Sequence, residues 1–212
     1  MGWLGKAVAA AGMWAAVGLM PAMAQQGGKP DFVAQLASED ARFVADWVMG
    51  SADHQGLPFA VVDKKSARIY VFDAGGRLSG VAPALLGQTV GDESAPDVGL
   101  HTQAGEVPVQ ERTTPAGRFV SKPGRNLSGE HVVWVDYTTA FAIHRLRPGA
   151  SLRSREARLA SDSPDDNRAS LGCVVVPPAF YDEVVQPLLG RSRAVIYVLP
   201  ETRSVRDVFG AA

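Results

Sequence analysis

The chain has 212 residues, 46% of them hydrophobic and 20% charged, with a formal net charge of −1. That balance argues against a nucleic-acid partner, which normally leaves a basic footprint, and the ordinary apolar fraction argues against an acidic disordered chain. A single cysteine excludes both an intramolecular disulfide framework and a multi-thiolate zinc site.

Lys6 precedes an uninterrupted apolar run over 7–19, Pro21 then breaks the helix, and Ala22-Met23-Ala24 supplies small residues before polar Gln25-Gln26. This is the tripartite pattern of a secretory signal peptide, residues 1–24, cut after Ala24. A membrane span needs about 20 apolar residues and this run is shorter, so no stable membrane insertion is expected after cleavage. Residues 25–57 read as a linker and a helical lead-in: Phe32, Leu36, Phe43 and Trp47 recur at near-helical spacing over 31–49, as one amphipathic helix or two split near Ser38.

From Pro58 the rhythm changes to strands and turns. Phe59-Ala60-Val61-Val62 and Arg68-Ile69-Tyr70-Val71-Phe72 read as strands joined by polar 63–67, with a turn at 73–76. The segment 87–110 is polar and glycine-punctuated, a long surface loop. Further strands are expected at 118–121, 131–135 and 140–144, followed by a hydrophilic stretch over 145–169. Val174-Val175-Val176 is a short strand stopped by Pro177-Pro178, which starts a helix over 179–189 with Gly190 as its cap. A last β-rich run covers 194–199, and 201–212 reads as a loosely held polar tail. The length suits one domain, placed at 58–200, mostly β with flanking helices.

Export sharpens the meaning of the lone cysteine. In an oxidising compartment cysteines normally pair, so Cys173 is buried, externally paired or chemically used. Gly172 before it allows a tight turn that aims N–H groups at a developing oxyanion. A thiol also needs a base, usually histidine. His54, His101 and His131 fall in loops or at a strand edge, where solvated imidazole is the default, whereas His144 closes the apolar strand Phe141-Ala142-Ile143.

With these residues in place, the chain resembles the L,D-transpeptidase catalytic domain family of bacterial cell-wall enzymes. Val61-Val62-Asp63 with 68–72 resembles the family's opening hairpin, and Thr114-Pro115-Ala116-Gly117-Arg118-Phe119 resembles its Thr-Pro-x-Gly-x-Phe turn and strand. Ala142-Ile143-His144 followed by Ser170-Leu171-Gly172-Cys173 resembles its His…Ser-x-Gly-Cys signature. Together these span most of 58–199. The chain departs from the pattern at Arg145, Leu171 and Val175, and the interval between His144 and Cys173 is long, so 145–169 contains an insertion.

The resemblance implies a mixed β-sandwich-like fold and a shallow cleft at the Cys and His strands. It implies a periplasmic enzyme in which Cys173 is the nucleophile, His144 the base, and the N–H groups of Gly172 and Cys173 the oxyanion hole. Its partners would be peptidoglycan stem peptides, with no metal or organic cofactor, and the protein would be monomeric. Ser170 is read either as a contact to the thiolate or acyl carbonyl, or as a turn-stabilising residue. Arg145 and Arg168 are candidate binders of a stem carboxylate, and 145–169 is expected to cover the cleft as a lid. The cluster Asp162, Asp165 and Asp166 lacks calcium-loop spacing and reads as solvated. Tyr137 is a candidate cleft residue and Trp134 a core one. Competing readings are a hydrolase on the same fold and a noncatalytic wall-binding domain; a papain-like protease is disfavoured because its cysteine precedes its histidine.

Overall fold

Strands built from Val, Ile, Phe and Tyr dominate the computed structural model, which describes residues 1–2 and 37–210; the signal-peptide and linker expectations lie outside the described residues. Helix α1 (Glu39–Ser51) is capped by Ser38, whose Oγ accepts from the Ala41 N–H. Strands β1 (Phe59–Asp63), β2 (Arg68–Phe72) and β3 (Leu78–Pro83) follow as an antiparallel meander. Next come β4 (Leu86–Gly87), α2 (Val98–Ala104), β5 (Gly117–Arg125), β6 (His131–Asp136) and β7 (Phe141–Arg145). The last part holds α3 (Leu152–Leu159), β8 (Arg168–Ser170), β9 (Val174–Val176), α4 (Pro178–Phe180), α5 (Gln186–Leu189), β10 (Ala194–Val198) and α6 (Val205–Phe209). A π-helical turn, Tyr181–Val185, fuses α4 to α5 into one helical rod.

Eight strands form one sheet in the order β3-β2-β1-β10-β5-β6-β7-β9. Its shape follows from β5, the longest strand. The first half of β5 pairs with β10 through Gly117 to Ser121, and its second half pairs with β6 through Lys122 to Arg125. The sheet therefore turns over itself at β5. Val62, Ile69, Val71 and Ile196 from one half share a core with Val133, Ile143, Val174 and Val176 from the other. Leu85 closes the remaining gap by exchanging both backbone bonds with Val175 (2.7 and 2.9 Å). The result is mostly β, with a large, nearly closed sheet and a few helices.

Every residue of β1 and β10 is buried, so both faces of these central strands are covered. Alternation decides what covers them. Ala60 and Val62 face Tyr181, Val185 and Leu189 of the helical rod, whereas Phe59 and Val61 face Val44 and Val48 of α1 and Phe209 of α6.

Several local expectations are corrected. The segment 87–110 is no simple surface loop: it carries α2 and buries Asp92. The tail is docked, because Val205 and Phe209 fill the core under α1, where Phe209 meets Trp47 at a ring distance of 6.0 Å. His54 is buried against Phe59 and bonded to the Ala74 carbonyl (3.2 Å). His131 bridges Tyr181 Oη (2.9 Å) and the Gly190 carbonyl (3.1 Å). Trp134 is half-buried, edge-on to exposed Tyr137. Among the described residues no helix is long and apolar enough to cross a membrane.

Candidate active site

Strands β7 and β9 run parallel with His144 opposite Val175 and Ile143 opposite Val174. Cys173 lies two residues before Val175, so strand alternation puts its side chain on the same face as His144. Both line a cleft of about 260 Å³, completed by Arg147, Ser151, Arg155, Ala169, Ser170, Leu171 and Val175. The two expected catalytic residues are thus brought together.

The turn that presents Cys173 is clamped from three sides. Ser170 Oγ donates to the Cys173 carbonyl (2.6 Å) and accepts from the Gly172 N–H (3.1 Å). Thr114 Oγ1 donates to the Gly172 carbonyl (2.8 Å) while accepting from the Gly87 N–H (2.8 Å). Gly172 has φ 128, and a Cβ there would stand 2.9 Å from the Thr113 carbonyl oxygen. Glycine is demanded twice over, by torsion and by space. The Gly172 N–H, expected to face an oxyanion, is bonded to Ser170 Oγ here, and both bonds of Ser170 Oγ brace the turn. It also gives Thr114, of the Thr-Pro turn, a task at the site.

His144 Nδ1 lies 2.8 Å from the Arg145 carbonyl, which can only accept. The proton of the neutral ring therefore sits on Nδ1 and Nε2 carries the lone pair. Burial, reinforced by the charge of Arg147, pushes the imidazole down to about 4. The Cys173 thiol, 3.5 Å from the Ala140 carbonyl, is pushed up by burial, only partly offset by the Ala142 N–H and by Arg147. The expectation of a thiol depressed by His144 is therefore corrected. Both shifts favour the neutral forms, thiol and imidazole.

A pH dependence follows. The unfolded chain takes up the histidine proton near 6.5 and the native one near 4. Between those values the unfolded state binds more protons, so stability is full above 6.5 and declines as pH falls to 4. The loss attributable to this group is about 3 kcal/mol. Urea midpoints of wild type and His144→Phe at pH 7 and 4.5 should differ in slope, the variant losing less.

The two arginines expected to bind substrate do not line the cleft. Arg145 reaches Asp182 (3.3 Å). Arg168 pairs with Glu201 and donates to the Lys64 carbonyl (3.3 Å). The arginines that do line it are Arg147 and Arg155, from the segment 145–169. That segment, expected as a lid loop, contributes Arg147, Ser151, Arg155 and Ala169 to the lining and is no simple loop: it forms α3 and a 3-10 turn, Pro164–Asn167. Leu159 of α3 is buried with Leu85, Leu146 and Val175, a patch that also receives Cys173. Asp166 accepts from Ser161 Oγ (2.6 Å), and among the described residues no group of carboxylates, histidines and cysteine is arranged to hold a metal ion.

Sequence reasoning missed Lys64. It is fully buried in the β1–β2 turn, where Nζ donates to Asp92 Oδ1 (2.8 Å), the Gly91 carbonyl (2.5 Å) and the Thr114 carbonyl (3.0 Å). Glu201 Oε1 lies 3.4 Å away. Burial alone would raise the Asp92 carboxyl, but Lys64, Thr202 and the amides of Glu201 and Thr202 hold it well below the usual range. One network therefore ties the first turn, the Thr-Pro turn and the C-terminal tail to the loop that carries Cys173.

No family model matches the chain, and no curated protein matches it. Solved structures similar to it include L,D-transpeptidases. One is the catalytic domain from Enterococcus faecium L,D-transpeptidase, at 17% identity over 67% of this chain and 96% of that one, with a TM-score of 0.36. Another is an L,D-transpeptidase from Mycobacterium smegmatis, at 19% identity over 66% of this chain and 58% of that one, TM-score 0.35. A third is the helical cell shape determining protein Pgp2 from Campylobacter jejuni, at 12% identity over 69% and 49%, TM-score 0.43. The match thus spans about half of the longer solved chains.

Proposed function

We propose that the chain is an exported, periplasmic cysteine acyltransferase of the L,D-transpeptidase type that acts on peptidoglycan tetrapeptide stems. The observation that carries this reading is the placement of His144, on β7, and Cys173, in the turn entering β9, in one cleft, with the Nε2 lone pair of His144 unprotonated.

In this reading that geometry supports the following steps. Cys173 Sγ attacks the carbonyl preceding the terminal D-Ala as Nε2 takes the thiol proton. The carbon–nitrogen bond breaks, Nε2 returns the proton to the departing amine, and a thioacyl-enzyme remains. The side-chain amine of a second stem's diamino acid then attacks, passes its proton to Nε2 and expels the sulfur, which recovers that proton. A 3–3 cross-link results. Ser170, Gly172 and Thr114 hold the sulfur in position rather than react.

Incubating purified protein with tetrapeptide muropeptides and identifying products by mass tests the proposal. Wild type should release D-Ala and join two stems. Cys173→Ala should do neither, while its stability stays within about 1–2 kcal/mol of wild type. Turnover surviving in Cys173→Ala would defeat the assignment, and D-Ala release without joined stems would replace the transferase by a hydrolase.

A further inference from the structure

Two cations in the cleft make no contact in the acyl-transfer steps described above. Arg147 follows β7 and Arg155 belongs to α3, and both line the wall beside His144 and Cys173. Arg147 is balanced, its Nε 2.7 Å from Glu130 Oε2. Arg155 is not: its Nε is buried without a hydrogen-bond partner, and it forms no ion pair among the described residues. Its position is unusual. Leu152, Arg155 and Leu159 recur at helical spacing on one face of α3, and the two leucines pack into the apolar patch shared with Leu85, Leu146, Val175 and Cys173. Arg155 thus occupies the inward face, where a third apolar residue would be the simple solution. Burial and the neighbouring Arg147 charge both push its guanidinium down from its ordinary value. A buried unmade donor costs about 1–3 kcal/mol, and more when charged. An anion in the cleft would relieve both penalties.

We propose that Arg155, with Arg147 beside it, is a subsite for a free carboxylate of the acyl donor. A guanidinium fork matches a carboxylate bidentately, which fixes orientation as well as affinity. The identity of that donor rests on the reading above: when a terminal residue is the leaving group, its carboxylate lies one residue beyond the attacked carbonyl. With that carbonyl at Sγ, the carboxylate meets the cationic wall. The site then selects bonds at a chain end over internal ones, because an internal bond presents a neutral amide where the arginines require charge.

The test needs no peptidoglycan. Cys173 is alkylated with iodoacetate and with iodoacetamide, and the rate ratio is compared with that of a free thiol. Wild type should favour the anionic reagent by about fivefold over the free thiol. Arg155→Gln should remove most of that preference, and Arg155→Lys should keep part of it. Should Arg155→Gln fail to fold, N-acetyl-D-alanine should still slow iodoacetamide labelling of wild type, whereas its amide should not. A wild-type ratio equal to that of a free thiol, or a ratio unchanged in Arg155→Gln, overturns the subsite. The two proposals fail separately. An intact ratio without muropeptide turnover keeps the carboxylate site and removes the peptidoglycan donor. Equal turnover of free and amidated donors, with KM unchanged in Arg155→Gln, keeps the reaction and removes the subsite.

Discussion

Replacing Lys64 by Met should destabilise the fold by about 3–5 kcal/mol, the usual consequence of removing one partner from a buried ion pair. The substitution leaves the Asp92 and Glu201 carboxylates, both almost wholly enclosed, without the ammonium between them. It also strands the Gly91 and Thr114 carbonyls that Nζ satisfies. For a domain of this size the thermal midpoint should fall by roughly 10 °C. Activity should suffer beyond the unfolded fraction, since Thr114 is the residue that clamps Gly172. A calorimetric scan settles the first point, and turnover measured well below the midpoint settles the second. A Lys64→Met protein as stable as wild type would mean that the network is ornamental.

Gly172→Ala is expected to act on catalysis more than on stability. A Cβ at φ 128 and 2.9 Å from the Thr113 oxygen forces the turn to move. The atoms that would move are those holding the sulfur. Displacing a nucleophile by about 1 Å is enough to lower turnover by about 10²-fold, whereas the strain itself amounts to about 1–3 kcal/mol. Muropeptide turnover beside a urea titration would separate the two effects. Ser170→Ala is the milder comparison, because it removes the bonds to Gly172 and Cys173 without adding an atom.

What could be read from the sequence was whatever depends on neighbours along the chain. Strands 59–62, 68–72 and 174–176 follow from β-branched and aromatic runs bounded by turn residues, and the rod ending at Leu189 follows from Pro177-Pro178 and Gly190. Cys173 and His144 stood out because one is the sole thiol and the other ends an apolar strand. Hidden features depend on partners distant in sequence. Lys64 reads as an ordinary hydrophilic turn residue until Asp92 and Glu201 arrive to enclose it. Val205 and Phe209 look like a frayed end unless α1 is known to leave a gap for them. Arg145 and Arg168 read in the sequence as binders of a stem carboxylate, but the Asp182 and Glu201 carboxylates engage them outside the cleft lining. Arg155 reads as one more solvated charge in a polar stretch, and only the two flanking leucines show which way α3 faces.

The pairing of β1 with β10 has a bearing on how the molecule comes into being. The first strand of the sheet lies parallel to the last, Phe59 opposite Val195 and Val62 opposite Val198. An emerging chain can form the β1–β2–β3 meander early, yet one edge of β1 stays open until β10 has been made. Long-range pairings of this kind are slow, since distant segments must meet before any contact compensates for the lost chain entropy. Synthesis alone therefore cannot complete the domain piece by piece. Closure of the sheet waits for β10, and the buried Lys64 charge network, which needs Glu201 from beyond β10, locks only afterwards.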